Sequence, residues 1–531
     1  MTNQFIVEGL IDHLQSVRRN TLGDLLLRTS RRFPKKSALV FKNQSLTYEE
    51  LDALVNRTAN GLLSNGIKKG DFVTVLSRNS LDFVVLNFAL ARIGSIMVPI
   101  NYMLTQDEIS YIIGHARIHA VFASVEFIAL MEQSLVQHNV EQKIVIGQND
   151  ENAPEHWVSI NRIRKEHSSV APEIQIEDDD VAQVLYTSGT ESRPKGVMLS
   201  HKSLISEYVS CIVDGKMSAD DIVIHALPLY HSAQLHVFLG PSVYLGSTGV
   251  ILEFPTPEKI LTTIEEEHAT LLFCPPTVWI ALLRHEDFDK RDLSSLKKCY
   301  YGAAIMPMEI LKELKTRLPG ASLWNFYGQT EVAPLATALQ PEDQLRKLGS
   351  AGLPSLNVQT RIVNDQDEEV PRGELGEIVH RTPHAMKGYL HDAEKTAEAF
   401  RGGWFHSGDL GVMDEEGYVT IVDRKKDMIN TGGVNVSSRE VEEVIYEMEG
   451  VSEVAVISIP DSYWIEAVTA IIVPKAGVVL QKEEVIEFCK KRMSSFKTPK
   501  YVEFTDELPK NPSGKVLKRS LRTDYTNRIS K

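Results

Sequence analysis

Cysteine is scarce in this sequence, and its four copies (Cys211, Cys274, Cys299, Cys489) stand far apart. They show neither CxxC nor mixed Cys/His spacing of the kind that holds zinc, so they read as buried free thiols. The histidines are equally scattered and no HExxH pair occurs, which argues against a transition metal held by side chains. Positive charge is in the minority: 57 Lys and Arg face 71 Asp and Glu, a formal net charge of -14. Binding to a nucleic-acid backbone relies on cations that release counterions, so nucleic acid is not an expected partner. Long apolar runs are missing too, since nothing reaches the roughly 18 unbroken residues that a membrane span needs. The stretch Met1 to Arg19 carries Glu8 and Asp12 and lacks a continuous apolar core, so it does not read as a secretory signal. The expected location is cytoplasmic.

What is present describes an ordinary globular chain. At 531 residues, 43% hydrophobic and 24% charged, it can bury a large core, fold without a partner and divide into more than one unit. From Asp71 onward a β-branched run (Phe72 to Leu76) is followed by a helical stretch (Ser80 to Ile93), a stop at Gly94 and a second strand-like run (Ile96 to Val98). Similar runs return at Ala120 to Ala123, Ile222 to Leu227 and Thr270 to Phe273, each followed by helical periodicity. Strands separated by crossover helices predict parallel sheets covered on both faces, an α/β fold.

The pattern changes near Val422, where an apolar run meets the charged cluster Asp423 to Asp427. Beyond it, Ser437 and Glu440 form a capping-box signature, with Val441, Val444, Ile445 and Met448 on one helical face. Two apolar runs (Val454 to Ile459, Ala467 to Val473) and an amphipathic helix containing Val485, Phe488 and Cys489 complete a small α+β unit. The expected division is a large domain over residues 1–424 and a small one over 425–531.

The stretch Tyr186-Thr187-Ser188-Gly189-Thr190-Glu191-Ser192-Arg193-Pro194-Lys195-Gly196 places hydroxyls, a flexible Gly and a Lys directly after an apolar strand. Hydroxyls and backbone N–H groups donate to phosphate oxygens, and the Lys supplies a cation. It is not a Walker A loop, because Lys195 follows Pro194 and precedes Gly196 rather than Ser or Thr.

The loop is similar to the phosphate-binding signature of the adenylate-forming superfamily, which includes acyl-CoA synthetases, firefly luciferases and the adenylation domains of peptide synthetases. The resemblance runs through nearly the whole chain in the family's order: Pro99-Ile100-Asn101-Tyr102, the phosphate loop, Leu227-Pro228-Leu229-Tyr230-His231 and Tyr301-Gly302-Ala303-Ala304. It continues through Tyr327-Gly328-Gln329-Thr330-Glu331, Gly373 to Glu377, Trp404 to Asp409, Asp423 to Asp427, Gly432-Gly433-Val434-Asn435 and Pro512-Ser513-Gly514-Lys515.

The resemblance implies an enzyme that uses ATP and Mg²⁺ to activate a carboxylic acid as an acyl-adenylate, then transfers the acyl group to coenzyme A. Two anions must meet when the carboxylate attacks the α-phosphorus, so the site must neutralise charge and hold both reactants in line. Lys515 is implied as the cation between them, with Thr187, Ser188, Gly189, Thr190, Lys195 and Thr330 around the phosphates. Glu331 is implied as the Mg²⁺ carboxylate, and Asp409 and Arg424 as the ribose ligands. Tyr327 is implied against adenine, opposite Gly302, Ala303 and Ala304, with Asn325 and Gly328 in the same set. His231 matches a gate at the acyl pocket. By the same resemblance the small domain swivels about Lys426 between the two half-reactions, withdrawing Lys515 and bringing Gly432-Gly433 beside the pantetheine tunnel. Glycine suits a loop pressed against a narrow thiol carrier because it lacks a Cβ.

Three departures from the family pattern stand out. Glu191-Ser192 replaces the usual Thr-Gly, and Glu191 is expected to turn outward or pair with Arg193. Ser438 replaces a frequent Pro, and Asn511-Pro512-Ser513 replaces a commoner Arg/Thr-rich lead-in; both read as conservative of backbone shape. Peptide-synthetase adenylation domains place an Asp near the His231 region for an amino group and carry a carrier domain downstream. This sequence has Tyr230-His231-Ser232-Ala233-Gln234 there and runs no further than Lys531, favouring an acid without an amino group. A luciferase-like oxygenase and a catalytically silent adenylate binder are the other readings, the latter opposed by intact Lys515, Glu331 and Asp409. Small apolar residues (Val332, Ala333, Cys274, Ala233) suggest a medium- or long-chain fatty acid first and an aryl or branched acid second. The partners are thus the acid, ATP and CoA; monomer or homodimer, and peripheral membrane contact, stay open.

Overall fold

Ser80 accepts a hydrogen bond from the Phe83 N–H and starts the helix Leu81–Ile93, whose residues from Phe83 to Ile93 are all buried. Gly94, at φ 72°, ends it in the left-handed region that glycine enters without strain. The strands on either side, Phe72–Leu76 and Ile96–Pro99, then pair in parallel. This is the βα unit the sequence predicts. A helix apolar on every side needs cover on every side. Here it lies in one core cluster with residues of the helices Leu22–Arg32 and Tyr48–Ser64. Arg92 threads this core and donates to Asp52 (2.8 Å) and to the Gly23 carbonyl (2.7 Å), so its charge is paired.

The computed structural model describes residues 16–147, 154–187, 193–304, 306–425, 427–431, 434–461, 463–510 and 516–529. Among them an eight-stranded sheet runs Gly388–Tyr389, Lys195–Ser200, Val181–Thr187, Ile96–Pro99, Phe72–Leu76, Ala120–Ser124, Gln142–Ile146, Val158–Ser159. A nine-stranded sheet has Ser322–Gly328, Lys298–Gly302, Leu271–Phe273, Ile222–His225 and Thr248–Ile251 as its parallel interior. The parallel interiors match the expected crossover architecture, while the edges do not: Lys195–Ser200 and Gly388–Tyr389 in the first sheet, and the outer strands of the second, pair antiparallel. The four-stranded sheet Gln359–Val363, Gly376–Arg381, Phe405–Met413, Val419–Arg424 does not match it either, for it is antiparallel throughout. Phe405–Met413 and Val419–Arg424 join as a short hairpin, whereas the segment between Gly376–Arg381 and Phe405–Met413 holds the helix Ala393–Ala399 and still returns the chain antiparallel.

The last sheet draws only on residues 429–504: Val434–Val436, Ile429–Thr431, Ile465–Pro474 and Val451–Asp461, with Tyr501–Phe504 beside Ile465–Pro474. Helix Ser438–Tyr446 lays Val441 and Ile445 into its core. The capping box expected there is half formed. Ser437 accepts from the Glu440 N–H, but the Glu440 carboxylate pairs with Lys497 instead of reaching back. All four cysteines are buried and unpaired. Among the described residues no helix is long and apolar enough to cross a membrane.

Candidate functional site

The strands Val181–Thr187 and Lys195–Ser200 are antiparallel, and Thr187 lies directly opposite Lys195. Successive side chains in a strand point to opposite faces. Leu185 joins the core that holds Val332, Ala333 and Tyr389, whereas Val184 and Tyr186 pack into the cluster of Ile109, Ile112 and Leu390. Thr187 therefore opens on the first face. The Lys195 ammonium stands 5.0 Å from the Tyr389 ring centroid, and the Tyr389 phenol donates to Glu331 Oε1 at 3.0 Å. These contacts gather the base of the loop and the metal-candidate carboxylate at one place. Ser188, Gly189 and Thr190, and the expected outward turn of Glu191, lie outside the described residues.

Glu331 sits in a single helical turn, Thr330–Val332, directly after the strand Ser322–Gly328. The turn is tight because Gly328 is there: a Cβ would come within 1.6 Å of the Pro334 carbonyl oxygen. Gln329 N–H donates to that carbonyl (2.9 Å), and Met386 N–H donates to the Glu331 carbonyl (2.8 Å). Thr330 shares a hydrogen bond with Ser232 (3.1 Å), tying this turn to the His231 segment. Burial pushes the Glu331 carboxyl upward, opposed by the Tyr389 hydrogen bond and the charges of Lys195 and Arg424. A half-buried carboxylate short of countercharge fits a divalent cation. Among the described residues no cluster of three or more His, Cys, Asp or Glu could hold a metal alone. Mg²⁺ suits such a place, since it takes one or two carboxylates and completes its shell with phosphate oxygens and water.

Asp409, 5% exposed, is held by the large body itself. Its Oδ2 accepts from the Tyr327 phenol (2.7 Å) and from Gln329 Nε2 (2.9 Å), while Arg424 Nε stands 3.5 Å from Oδ1 across the strand pair. Gln329 Nε2 also donates to the Ser407 carbonyl at 2.8 Å. Gln329 was not assigned a role from sequence, although it sits inside the Tyr327 to Glu331 motif; its part emerges only when Asp409 is brought alongside. Burial, and then Asp409, push the Tyr327 phenol up, so it keeps the proton it donates. The expected adenine platform is thus also the anchor of the expected ribose ligand. Asn325 donates to the Ser350 carbonyl at 3.2 Å. At Gly302 a Cβ would sit 2.3 Å from the Phe326 carbonyl oxygen, so the neighbouring strands can close only on glycine. Ala303 (φ 62°) and Ala304 follow it, both exposed.

His231 N–H donates to the Pro228 carbonyl (3.1 Å), and His231 Nδ1 accepts from Ala233 N–H (3.3 Å). The ring lines a cavity of about 10 Å³ with Leu227, Pro228, Ala233, Gln234, Phe273 and Ala303. Phe273 stacks on Phe238 at 4.6 Å and 17°. Gln234 is committed to the Leu227 N–H and to His225. Of the four small residues expected around the acyl pocket, Ala233 lines this cavity. Val332, Ala333 and Cys274 do not; each is fully buried in a core cluster, because small side chains are what tight strand and helix packing also selects.

Lys426, Gly433 and Lys515 lie outside the described residues. The stretch between the antiparallel sheet and the last one is tied by polar contacts. Asp423 accepts from the Ser438 N–H (2.7 Å), Ser438 Oγ (2.8 Å) and Ser437 Oγ (3.3 Å). Lys518 donates to Ser438 Oγ (2.7 Å), Arg522 pairs with Asp427 (2.7 Å), and Arg439 donates to the Gly349 carbonyl (3.2 Å). Ser438 is therefore not a neutral replacement for proline, which has no N–H to give to Asp423.

The sequence model of the family described as AMP-binding enzyme matches residues 26–390, and that of the AMP-binding enzyme C-terminal domain matches residues 440–515. The chain is 35% identical over 513 residues to a feruloyl-CoA synthase of Amycolatopsis sp, covering 96% of this chain and 100% of that one. It is 33% identical to a long-chain-fatty-acid–CoA ligase of Bacillus subtilis (strain 168), covering 97% and 96%. Its structure resembles the crystal structure of an anthranilate CoA ligase in complex with anthranoyl-AMP, with a TM-score of 0.90, 26% identity, and 96% and 98% of the two chains covered.

Proposed function

The chain belongs to the AMP-binding enzyme family, and on that premise we propose that it joins a carboxylic acid to coenzyme A through an acyl-adenylate. A carboxylate oxygen bonds to the α-phosphorus of ATP as the bond to the bridging oxygen breaks, and pyrophosphate leaves. The CoA thiol, losing its proton, then bonds to the acyl carbon as AMP leaves. The observation that supports this reading best is the convergence of Thr187, Lys195, Thr330 and Glu331 beside Asp409, Tyr327 and Arg424. In it Thr187, Lys195 and Thr330 hold phosphates, Asp409 and Arg424 the ribose, and Tyr327 with Gly302 to Ala304 the adenine. Mg²⁺ at Glu331, when bound, neutralises phosphate charge. Lys515 comes from the small domain, 425–531, and swivelling about Lys426 exchanges it for the Gly433 loop.

For the acid, a compact aromatic body is the first choice over a long chain, on the likeness to feruloyl and anthranilate ligases. The lining of the small cavity beside His231 carries no fixed charge, which suits an apolar acyl group of either kind. A fatty acid, the first expectation from sequence, is the second reading, supported by the Bacillus relative. The test is CoA-dependent AMP formation with acids from acetate to palmitate, plus benzoate and coumarate. Benzoate or coumarate should lead palmitate by at least about tenfold in kcat/KM, since pocket mismatches of this kind are worth about 1–3 kcal/mol or more. Palmitate in the lead would overturn the aromatic choice, and no AMP with any acid would overturn the ligase.

A further inference from the structure

The helix His201–Asp214 carries a carboxyl group that neither half-reaction uses. Leu204, Glu207, Tyr208 and Cys211 recur at the three- and four-residue spacing of one helical face, and all four are buried, Glu207 with none of its surface exposed. That face lies against the π-helical segment Ala233–Leu239: the Tyr208 phenol and His236 Nδ1 share a hydrogen bond of 2.9 Å, and a Cβ on Gly240 would fall 2.2 Å from the Tyr208 ring. Ala233 and Gln234, at the start of that segment, line the cavity beside His231.

The two oxygens of Glu207 fare differently. Oε1 accepts from the Leu335 N–H (3.2 Å) and from the Cys211 thiol (3.6 Å). Oε2 is buried, with no partner among the described residues. Cys211 and Leu335 belong to one apolar cluster, and that cluster also takes in Leu227, Phe273 and Ala233 from the cavity lining. Burial pushes the carboxyl well above the ordinary range, opposed only by the Leu335 and Cys211 hydrogen bonds. It is then a neutral acid near neutral pH, with Oε1 committed as acceptor and the proton on Oε2. A buried O–H without an acceptor costs stability, and native cores keep few of them. Holding the Leu335 N–H requires only Oε1. The unmatched Oε2 calls for an oxygen supplied from outside the chain.

We propose that Glu207 donates to a hydroxyl on the ring of the acid and so selects a phenolic acid over its unsubstituted counterpart. The proposal rests on the aromatic reading of the acid, which it narrows to hydroxylated rings. At about 10 Å³ the cavity is smaller than a ring, so a ring entering it has to part Ala233 and Phe273 from the cluster in which Glu207 is set. One polar group in an otherwise apolar lining fixes the orientation of what binds there. An acid without the hydroxyl leaves Oε2 unmatched, and an unpaired buried group discriminates more strongly than a missing methylene does.

Substrate and side chain can each be changed, and both changes must agree. In CoA-dependent AMP formation at least one of ortho-, meta- and para-hydroxycinnamate should exceed cinnamate by about tenfold or more in kcat/KM. No lead for any of them overturns the proposal. Glu207→Leu should bring that ratio to within about twofold of unity while cinnamate keeps its own kcat/KM within about threefold. Glu207→Met serves in the same role if the leucine variant does not fold. Glu207→Gln keeps an acceptor for Leu335 and sets an N–H donor in place of Oε2, so it should hold most of the preference. A preference that survives the apolar variants overturns the proposal, because another group must then read the hydroxyl. So do equal losses with both acids, the mark of a carboxyl that only braces Leu335. Calorimetry with non-reactive acyl-adenylate analogues of cinnamate and the three hydroxycinnamates gives a readout without turnover. The best hydroxylated analogue should bind the parent about tenfold more tightly than the cinnamate one, and no more tightly in Glu207→Leu. If palmitate leads among the acids the aromatic reading fails, and the calorimetry still judges Glu207 separately, equal binding of the analogues to the parent overturning it.

Discussion

Asp409 and Asp423 lie on adjacent strands of one antiparallel sheet, in register positions one residue apart, and are 5% and 7% exposed. Their partners differ. Asp409 takes Tyr327 and Gln329, from the strand and turn that also carry Glu331, so its partners belong to the body that holds the candidate nucleotide site. Asp423 takes Ser437 and Ser438, the start of the first helix of the small unit, with Lys518 behind them. Two carboxylates of similar burial on one sheet thus serve different ends. The first is fixed in place before any ligand arrives, which is how an electrostatic site avoids reorganisation during reaction. The second holds together parts of the chain on either side of Lys426, where the swivel is proposed. Contacts that span a pivot must be made of bonds that exchange readily with water, and hydroxyl and ammonium partners meet that need.

The largest expected effect breaks the comparison on the mobile side. Lys515→Ala should slow acyl-adenylate formation by about a hundredfold or more, the scale for losing one preorganised charge, while thiolysis of supplied acyl-adenylate changes little. Separate assays of the two half-reactions check this, and equal losses in both would remove the division of labour between the domains. The next effect falls on the fixed side. Asp409→Asn puts an amide where Tyr327 and Gln329 donate, and kcat/KM for ATP should fall by about 10- to 100-fold, the cost of a buried charged hydrogen-bond acceptor. The KM for the acid should hold. A parallel rise in the acid's KM would mean that the substitution disorders the whole turn rather than the nucleotide side.

How far the sequence announces this depends on whether the signal is local. Gly94 as a helix stop, the strand Phe72–Leu76 and the buried face of the helix Ser438–Tyr446 follow from neighbours a few residues apart, and they stand where periodicity puts them. Thr330, Glu331, Asp409 and Arg424 were nameable because their motifs are short. What could not be read was pairing across long separations. The Gln329 bond to Asp409 spans 80 residues, and the capping box that the Ser437 and Glu440 spacing promised is only half formed because Lys497, 57 residues away, takes the Glu440 carboxylate. The small residues Val332, Ala333 and Cys274 show a related limit: a small apolar side chain suits a ligand pocket and a packed core alike, and here all three are buried in core clusters.

Ser438→Pro sharpens the comparison with the smallest effect. Ser438 is the first residue of its helix, where proline's fixed φ is welcome and its missing N–H would have had no helical partner. The helix should therefore survive. What disappears is the N–H and the hydroxyl donated to Asp423, together with the acceptor for Lys518. Ser438→Ala removes the hydroxyl and keeps the N–H, so the two variants apportion the loss. Each neutral-to-charged hydrogen bond contributes about 1 to 3 kcal/mol at most, and less where water can replace it. The melting temperature should move by a few degrees or less, while the ratio of adenylation to thiolysis rates shifts by about three- to tenfold, more in Ser438→Pro than in Ser438→Ala. An unchanged ratio would make the Asp423 contacts a static brace, leaving the swivel to be governed elsewhere along the 425–431 stretch.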